Sequence, residues 1–153
     1  MKDGAWWFLE NERAAEIRLN ESGSILLASR SPVTYPIGPD DPRVLEVLII
    51  GHTDLVVRLT ALLSERFGFA GAWRFGLLIT GLRGAISYEL SEEPTYETGP
   101  QYTKDEYPRA VTASVLELVQ SPERVVNRLV SSLLRSLDSH GCWAWLLQKP
   151  AAQ

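Results

Sequence analysis

Between Ser121 and Leu137 the chain writes an amphipathic helix with both ends marked. Ser121 offers a side-chain oxygen to free amides, Pro122 suits the first helical position, and Glu123 complements the positive end of the helix dipole. Val126, Leu129, Val130, Leu133, Leu134 and Leu137 then recur at spacings of three and four, which puts them on one stripe. His140-Gly141 reads as the stop. Such a stripe has to be buried against other elements, so the rest of the chain must supply an apolar surface for it.

A second helical period runs from Val44 to Phe67, with Val44, Leu48, Leu55, Leu59 and Leu62 on the expected buried stripe. Asp41 and Pro42 read as its capped start and Gly68 as a left-handed end; Gly51, on the stripe, predicts a bend or a close backbone approach. The other segments have strand period. Trp6 to Leu9 is aromatic-rich, and Glu16 to Leu19 alternates charged and apolar residues. Asn20-Glu21-Ser22-Gly23 is turn chemistry, and Ser24 to Ser29 returns as the second arm of a hairpin. Trp73 to Thr80 sets Trp73, Phe75, Leu77 and Ile79 on one face, and Leu78 adds to the other, so partial burial of both faces is expected. A turn at Gly81-Leu82-Arg83-Gly84 leads to a strand over Ala85 to Leu90, and Ala110 to Val119 reads as a further strand. The order implies an α+β fold: an antiparallel sheet with two main helices packed on one face. One domain over residues 1–153 is expected, with N-terminal strands in 1–30, an acidic connector at 91–108 and a C-terminal tail at 139–153.

The 153 residues are 45% hydrophobic and 22% charged, as in an ordinary globular domain. The net charge of −4 resides in the connector, where Glu92, Glu93, Glu97, Asp105 and Glu106 face only Lys104; elsewhere acids and bases balance at fourteen each. This balance argues against a phosphate-tracking surface. Cys142 is the sole cysteine, which excludes an intrachain disulfide and multi-cysteine zinc sites. Uninterrupted apolar runs reach only about five residues, against roughly 20 for a membrane span, and no signal peptide opens the chain. A cytoplasmic bacterial protein without membrane attachment is expected.

No nucleotide-loop, dinucleotide, hydrolase-elbow or HExxH motif occurs, so no catalytic residue, metal or cofactor is assigned. His52 and Asp54 stand two apart on a helix and point to different sides. His140 and Cys142 could pair a base with a thiol, though a helix stop followed by an apolar tail reads them more simply. The spacings Gly68–Gly71 and Gly81–Gly84 match a backbone-clamping GxxG loop but lie where turns are needed. Three groups are candidate binding residues. Tyr96, Tyr102 and Tyr107 stand among the connector's carboxylates and would suit a basic peptide or an amine. Arg124, Arg128 and Arg135 form a stripe that could meet phosphates, or could be the solvated back of the last helix. Trp143 and Trp145, with Trp6 and Trp7 at the other end, predict an aromatic cluster of the two termini that seals the core or forms an interface.

The run Gly71-Ala72-Trp73-Arg74-Phe75-Gly76, Thr80-Gly81-Leu82-Arg83-Gly84-Ala85, Asp105-Glu106-Tyr107, Thr112-Ala113-Ser114, Pro122, Arg128-Leu129-Val130 and Leu133-Leu134-Arg135 resembles the C-terminal region of actinobacterial proteins described as ATP-binding. In those proteins a Schlafen-type, AlbA-like domain described as DNA-binding comes first, and no such domain stands in this chain. The resemblance spans residues 10–138 and implies an accessory module. Three functions follow as expectations. The first is a non-enzymatic protein-interaction or sensing module, working on a protein partner or by self-association, beside a DNA-binding or defence-type protein. The second is a small-ligand pocket with weak hydrolysis through His52 or His140. The third is nucleic-acid binding through the arginine stripe.

Overall fold

The last long helix, α4 (Pro122–Ser136), forms as its pattern predicts. Val125, Val126, Leu129, Val130, Leu133 and Leu134 are buried along it. In this computed structural model, residues 5–7 (main chain only), 15–30, 32–93 and 99–148 are described. The first elements are the strands β1 (Ala5–Trp7), β2 (Ala15–Leu19) and β3 (Ile25–Ser29), paired antiparallel in that order. Gly23, at φ 82°, closes the β2–β3 hairpin, where an L side chain would be strained. Two short strands, β4 (Val33–Thr34) and β5 (Arg43–Val44), precede the long helix α1 (Glu46–Phe67). Then come β6 (Ala72–Ile79), β7 (Ile86–Ser87), the single turn α2 (Tyr88–Ser91), β8 (Tyr107–Ser114), α3 (Val115–Gln120), α4 and α5 (His140–Leu147).

The α+β class stands, but the single antiparallel sheet does not. The strands divide into three small sheets, β1-β2-β3, β4-β5-β7 and β6-β8, and β5 pairs with β7 in parallel. Helix α1 packs on α3, α4 and β3, and α4 also packs on β8 and α5.

Several local expectations were overridden by tertiary bonding. The helix expected from Val44 starts at Glu46, and Asp41-Pro42 does not cap it: Leu45 donates to Pro32 O (2.7 Å) and Ile86 to Pro42 O (3.1 Å), which holds this stretch extended. At the other end Gly68 takes φ 67°, and Phe69 N–H bonds Ser64 O at 2.9 Å, the expected left-handed stop. The strand expected to Leu90 ends at Ser87, because the Ser87 hydroxyl accepts Leu90 N–H (3.1 Å) and starts a helical turn. The strand expected to Val119 ends at Ser114 for the same reason: Ser114 Oγ accepts Glu117 N–H at 3.2 Å.

The buried stripe of α1 also differs from the expected one. Leu55 and Leu62 are 45% and 61% exposed, while Glu46, Ile49, Ile50, Thr53, Val57, Thr60, Ala61 and Ser64 face inward. The helix is apolar nearly all round, so leucine spacing alone does not choose a face. Its buried hydroxyls satisfy themselves: Thr53, Thr60 and Ser64 donate to the carbonyls of Ile49, Val56 and Thr60 at 2.7, 2.7 and 2.8 Å. By length and composition α1 could cross a membrane, with mean hydropathy 1.6 over its best window. Its mid-helix Asp54–Arg58 ion pair (2.7 Å) and its packing on three elements are those of a helix in a folded domain.

Candidate functional site

Two adjoining pockets that share Ile25 form a groove floored by α1 and walled by β3 and β6. Its larger part, about 610 Å³, is lined by Ser24, Ile25, Leu63, Phe67, Trp73 and Arg74 among others. Its narrower part, about 180 Å³, is lined by Ile25, Leu26 and Leu27 on one side and by Phe75 through Ile79 on the other, over Ile49, His52, Thr53 and Val56. Consecutive residues of each strand line it, so each strand presents its edge and not one face. Residue numbers on β3 and β6 rise together from the wide end to the narrow end while those on α1 fall. The two strands therefore run in the same direction, and the helix runs against them.

Local chemistry builds this arrangement. Trp73, Phe75, Leu77 and Ile79 point inward as expected; Phe75 and Ile79 are buried, and Trp73 Nε1 donates to Ser64 Oγ of α1 at 2.8 Å. That bond and the ring pair Phe69–Trp73 (5.5 Å, edge-on) pin the start of β6 to the end of α1. On the outer face Arg74, Gly76 and Leu78 are exposed, so the expected partial burial of Leu78 does not occur. β6 bonds β8 along one edge; among the described residues no main-chain hydrogen bond reaches its other edge, nor the outer edge of β3.

The two histidines lie in different places. His52 lines the narrow end, and desolvation pushes its pKa down, so it is neutral there at pH 7. Among the described residues no carboxylate lines either part of the groove, so none of them gives His52 an acid or base partner there. His140 Nε2 is buried without a hydrogen-bond partner among the described residues. Cys142 has its thiol pKa raised, first by burial and then by the carboxylates of Glu89 and Glu46, the opposite of an activated nucleophile. Both residues lie within α5, so the expected helix stop and apolar tail are a further short helix, and the raised thiol pKa gives no support to a histidine–thiol pair.

Of the candidate binding residues, Tyr102, Tyr107 and Trp143 are wholly or partly buried, while Arg124, Arg128, Arg135 and Trp145 are exposed. Tyr107 is 6% exposed and donates its hydroxyl to Leu129 O at 2.7 Å, with Ser132 Oγ at 2.8 Å. It ties β8 to α4 and is not presented to a partner. Tyr102 packs against the core, and burial raises its pKa. Tyr96 lies outside the described residues. The connector is not a free loop where it is described: Gly84 N–H bonds Tyr102 O, Tyr102 N–H bonds Ala85 O (both 2.8 Å), and Leu82 N–H bonds Asp105 O (2.9 Å). These bonds zip the described part of the connector to the Gly81–Gly84 turn and set Tyr102 and Tyr107 against the body of the domain, not among the connector's carboxylates for a basic ligand.

The arginine stripe is broken in its middle. Arg128 bonds Glu117 Oε1 (2.8 Å) and Thr112 O (3.3 Å), clamping α4 to α3 and β8, and only Arg124 and Arg135 stand free in solvent. The tryptophans likewise part company: Trp143 is 9% exposed within the core, Trp145 is 71% exposed, and the side chains of Trp6 and Trp7 lie outside the described residues.

The groove itself was missed. Its parts come from residues 19–32, 49–67 and 72–79, each of which reads as an ordinary strand or helix. The only signal in the sequence was an excess of apolar residues on α1 beyond what one buried face can use. A third group of polar side chains, Glu46, Ser87 and Ser139, is buried where the start of α1 meets β7 and the α4–α5 junction. The Ser87 hydroxyl donates to Glu46 Oε1, and Glu89 N–H reaches Oε2 at 3.4 Å. Comparison with protein-family models, with curated proteins and with solved structures finds no match for this chain.

Proposed function

We propose that this chain is a non-enzymatic protein-interaction module that takes an extended apolar segment of a partner protein into the groove between β3 and β6. The observation that carries the reading is the pair of strand edges facing one another across an apolar helix floor, their outward main-chain groups unbonded among the described residues. Unpaired edges are templates for another strand, and strand addition is a common way to hold a peptide. Among the described residues no carboxylate lines the narrow part beside His52, which weighs against the hydrolase alternative. The arginine stripe supports nucleic-acid binding less now that Arg128 is engaged. In this reading the module works in the cytoplasm beside a DNA-binding or defence-type protein, as its resemblance implies.

The test is selection of a displayed library of random dodecapeptides on the immobilised full chain. Peptides with alternating apolar positions are expected to be enriched, and to lose at least tenfold in affinity on a Leu63→Arg variant whose circular dichroism matches the parent. Leu63 is half-buried on the groove floor, so the charge enters the groove without entering the core. Enrichment of nothing, or only of peptides indifferent to Leu63→Arg, would refute the proposal.

A further inference from the structure

We infer that the bound segment is about eight residues long, lies antiparallel to β6, and ends in a carboxylate held by Arg74. This rests on the groove reading above and adds length, direction and charge to it.

Length comes from the floor. Groove-lining residues of α1 run from Ile49 to Phe67. At 1.5 Å per residue those 18 steps span about 27 Å. An extended chain advances about 3.3 Å per residue, so eight residues cover about 26 Å. The wall has the same length, since β6 itself has 8 residues.

Direction comes from the walls. Because β3 and β6 run the same way, a strand between them is either antiparallel to both or parallel to both. Antiparallel ladders have the better-aligned hydrogen bonds, so the antiparallel arrangement is the stabler one. The segment then enters at the narrow end, near His52 and Ile79, and its C-terminal end lies beside Ala72 to Arg74.

Charge comes from Arg74. Among the described residues it is the only charged side chain lining either part of the groove, and it is exposed on the outer face of β6 at the wide end. Among the described residues no carboxylate pairs with it. A guanidinium without a partner at the mouth of an apolar groove suits an anion, and a planar carboxylate matches its fork of donors. At the C-terminal end of a peptide that carboxylate is either a Glu or Asp side chain or the chain terminus itself; both share the chemistry.

The test runs the library in two formats, one with a free C-terminus and one with the C-terminus blocked, on the wild type and on Arg74→Gln. On the wild type, the blocked format is expected to enrich an alternating apolar stretch followed by Asp or Glu. The free format is expected to enrich the same stretch ending at the terminus or in an acid. Replacing that acid by its amide in a synthetic peptide should weaken binding tenfold or more at low salt and less at high salt. On Arg74→Gln the apolar pattern should persist and the acidic preference vanish. An apolar consensus that Leu63→Arg disrupts but that has no acid, or has it at the N-terminal end, overturns the inference and leaves the groove function standing. Absence of any consensus sensitive to Leu63→Arg overturns both.

Discussion

Replacing Glu46 by Gln should stabilise the protein at neutral pH and leave it nearly unchanged in acid. Glu46 is 1% exposed, and burial is the largest influence on its carboxyl, raising the pKa above the ordinary 4.5; hydrogen bonds from Ser87, from the main chain and from Ser139 oppose that shift without cancelling it. A raised folded-state pKa means that the fold prefers the protonated acid. The favourable contribution is therefore complete below the unfolded value of 4.5 and is lost as pH rises through the folded value. Between those two values the loss accrues at about 1.4 kcal/mol per pH unit for one proton. Glutamine keeps the shape and the oxygen that accepts Glu89 N–H (3.4 Å), and like the protonated acid it has no charge to desolvate and a donor in place of the oxygen that accepts Ser87 O–H. Urea unfolding followed by tryptophan fluorescence from pH 4 to 8, with wild type and Glu46→Gln side by side, cancels the other titrations. The stability difference should be near zero at the acid end, grow in favour of the variant with that slope, and level off above the folded pKa. A difference that stays flat across the range, or a variant that loses stability at pH 7, would show that the Ser87 and Glu89 bonds outweigh desolvation and that Glu46 is buried as an anion.

Two further outcomes follow from the packing. Tyr107→Phe removes a buried hydroxyl that bonds Leu129 O and Ser132, so it should lower the unfolding free energy by about 1–2 kcal/mol in urea titration without altering the secondary structure. The Cys142 thiol, raised by burial and by the carboxylates of Glu89 and Glu46, should react with iodoacetamide more slowly at pH 7 than a peptide cysteine and gain rate only at more alkaline pH; a rate at or above the peptide's would contradict that environment.

Much of the local structure was legible because it depends on neighbours in the chain. The hairpin closed by Gly23, the inward face of Trp73, Phe75, Leu77 and Ile79, the Gly68 helix stop and the stripe of α4 all follow from turn chemistry and period. The Ser114-x-x-Glu117 start of α3 was also present in the sequence, but was hidden within an apolar run that reads equally as strand. The face of α1 was not legible. A helix apolar nearly all round has no strongly preferred stripe until neighbours arrive, and the hydroxyls of Thr53, Thr60 and Ser64 are easily buried because each bonds its own helix.

By itself, then, the order of residues determined the helix and strand segments, the α+β class and the concentration of negative charge in one connector, since these depend on spacing and composition. Only the tertiary structure decided that Tyr107 and Trp143 are core residues, that Arg128 is tied to Glu117, and that β3 and β6 flank a groove above α1. Burial and edge pairing are contacts between segments dozens of residues apart, and periodicity within a segment has no information about which distant neighbour will cover it.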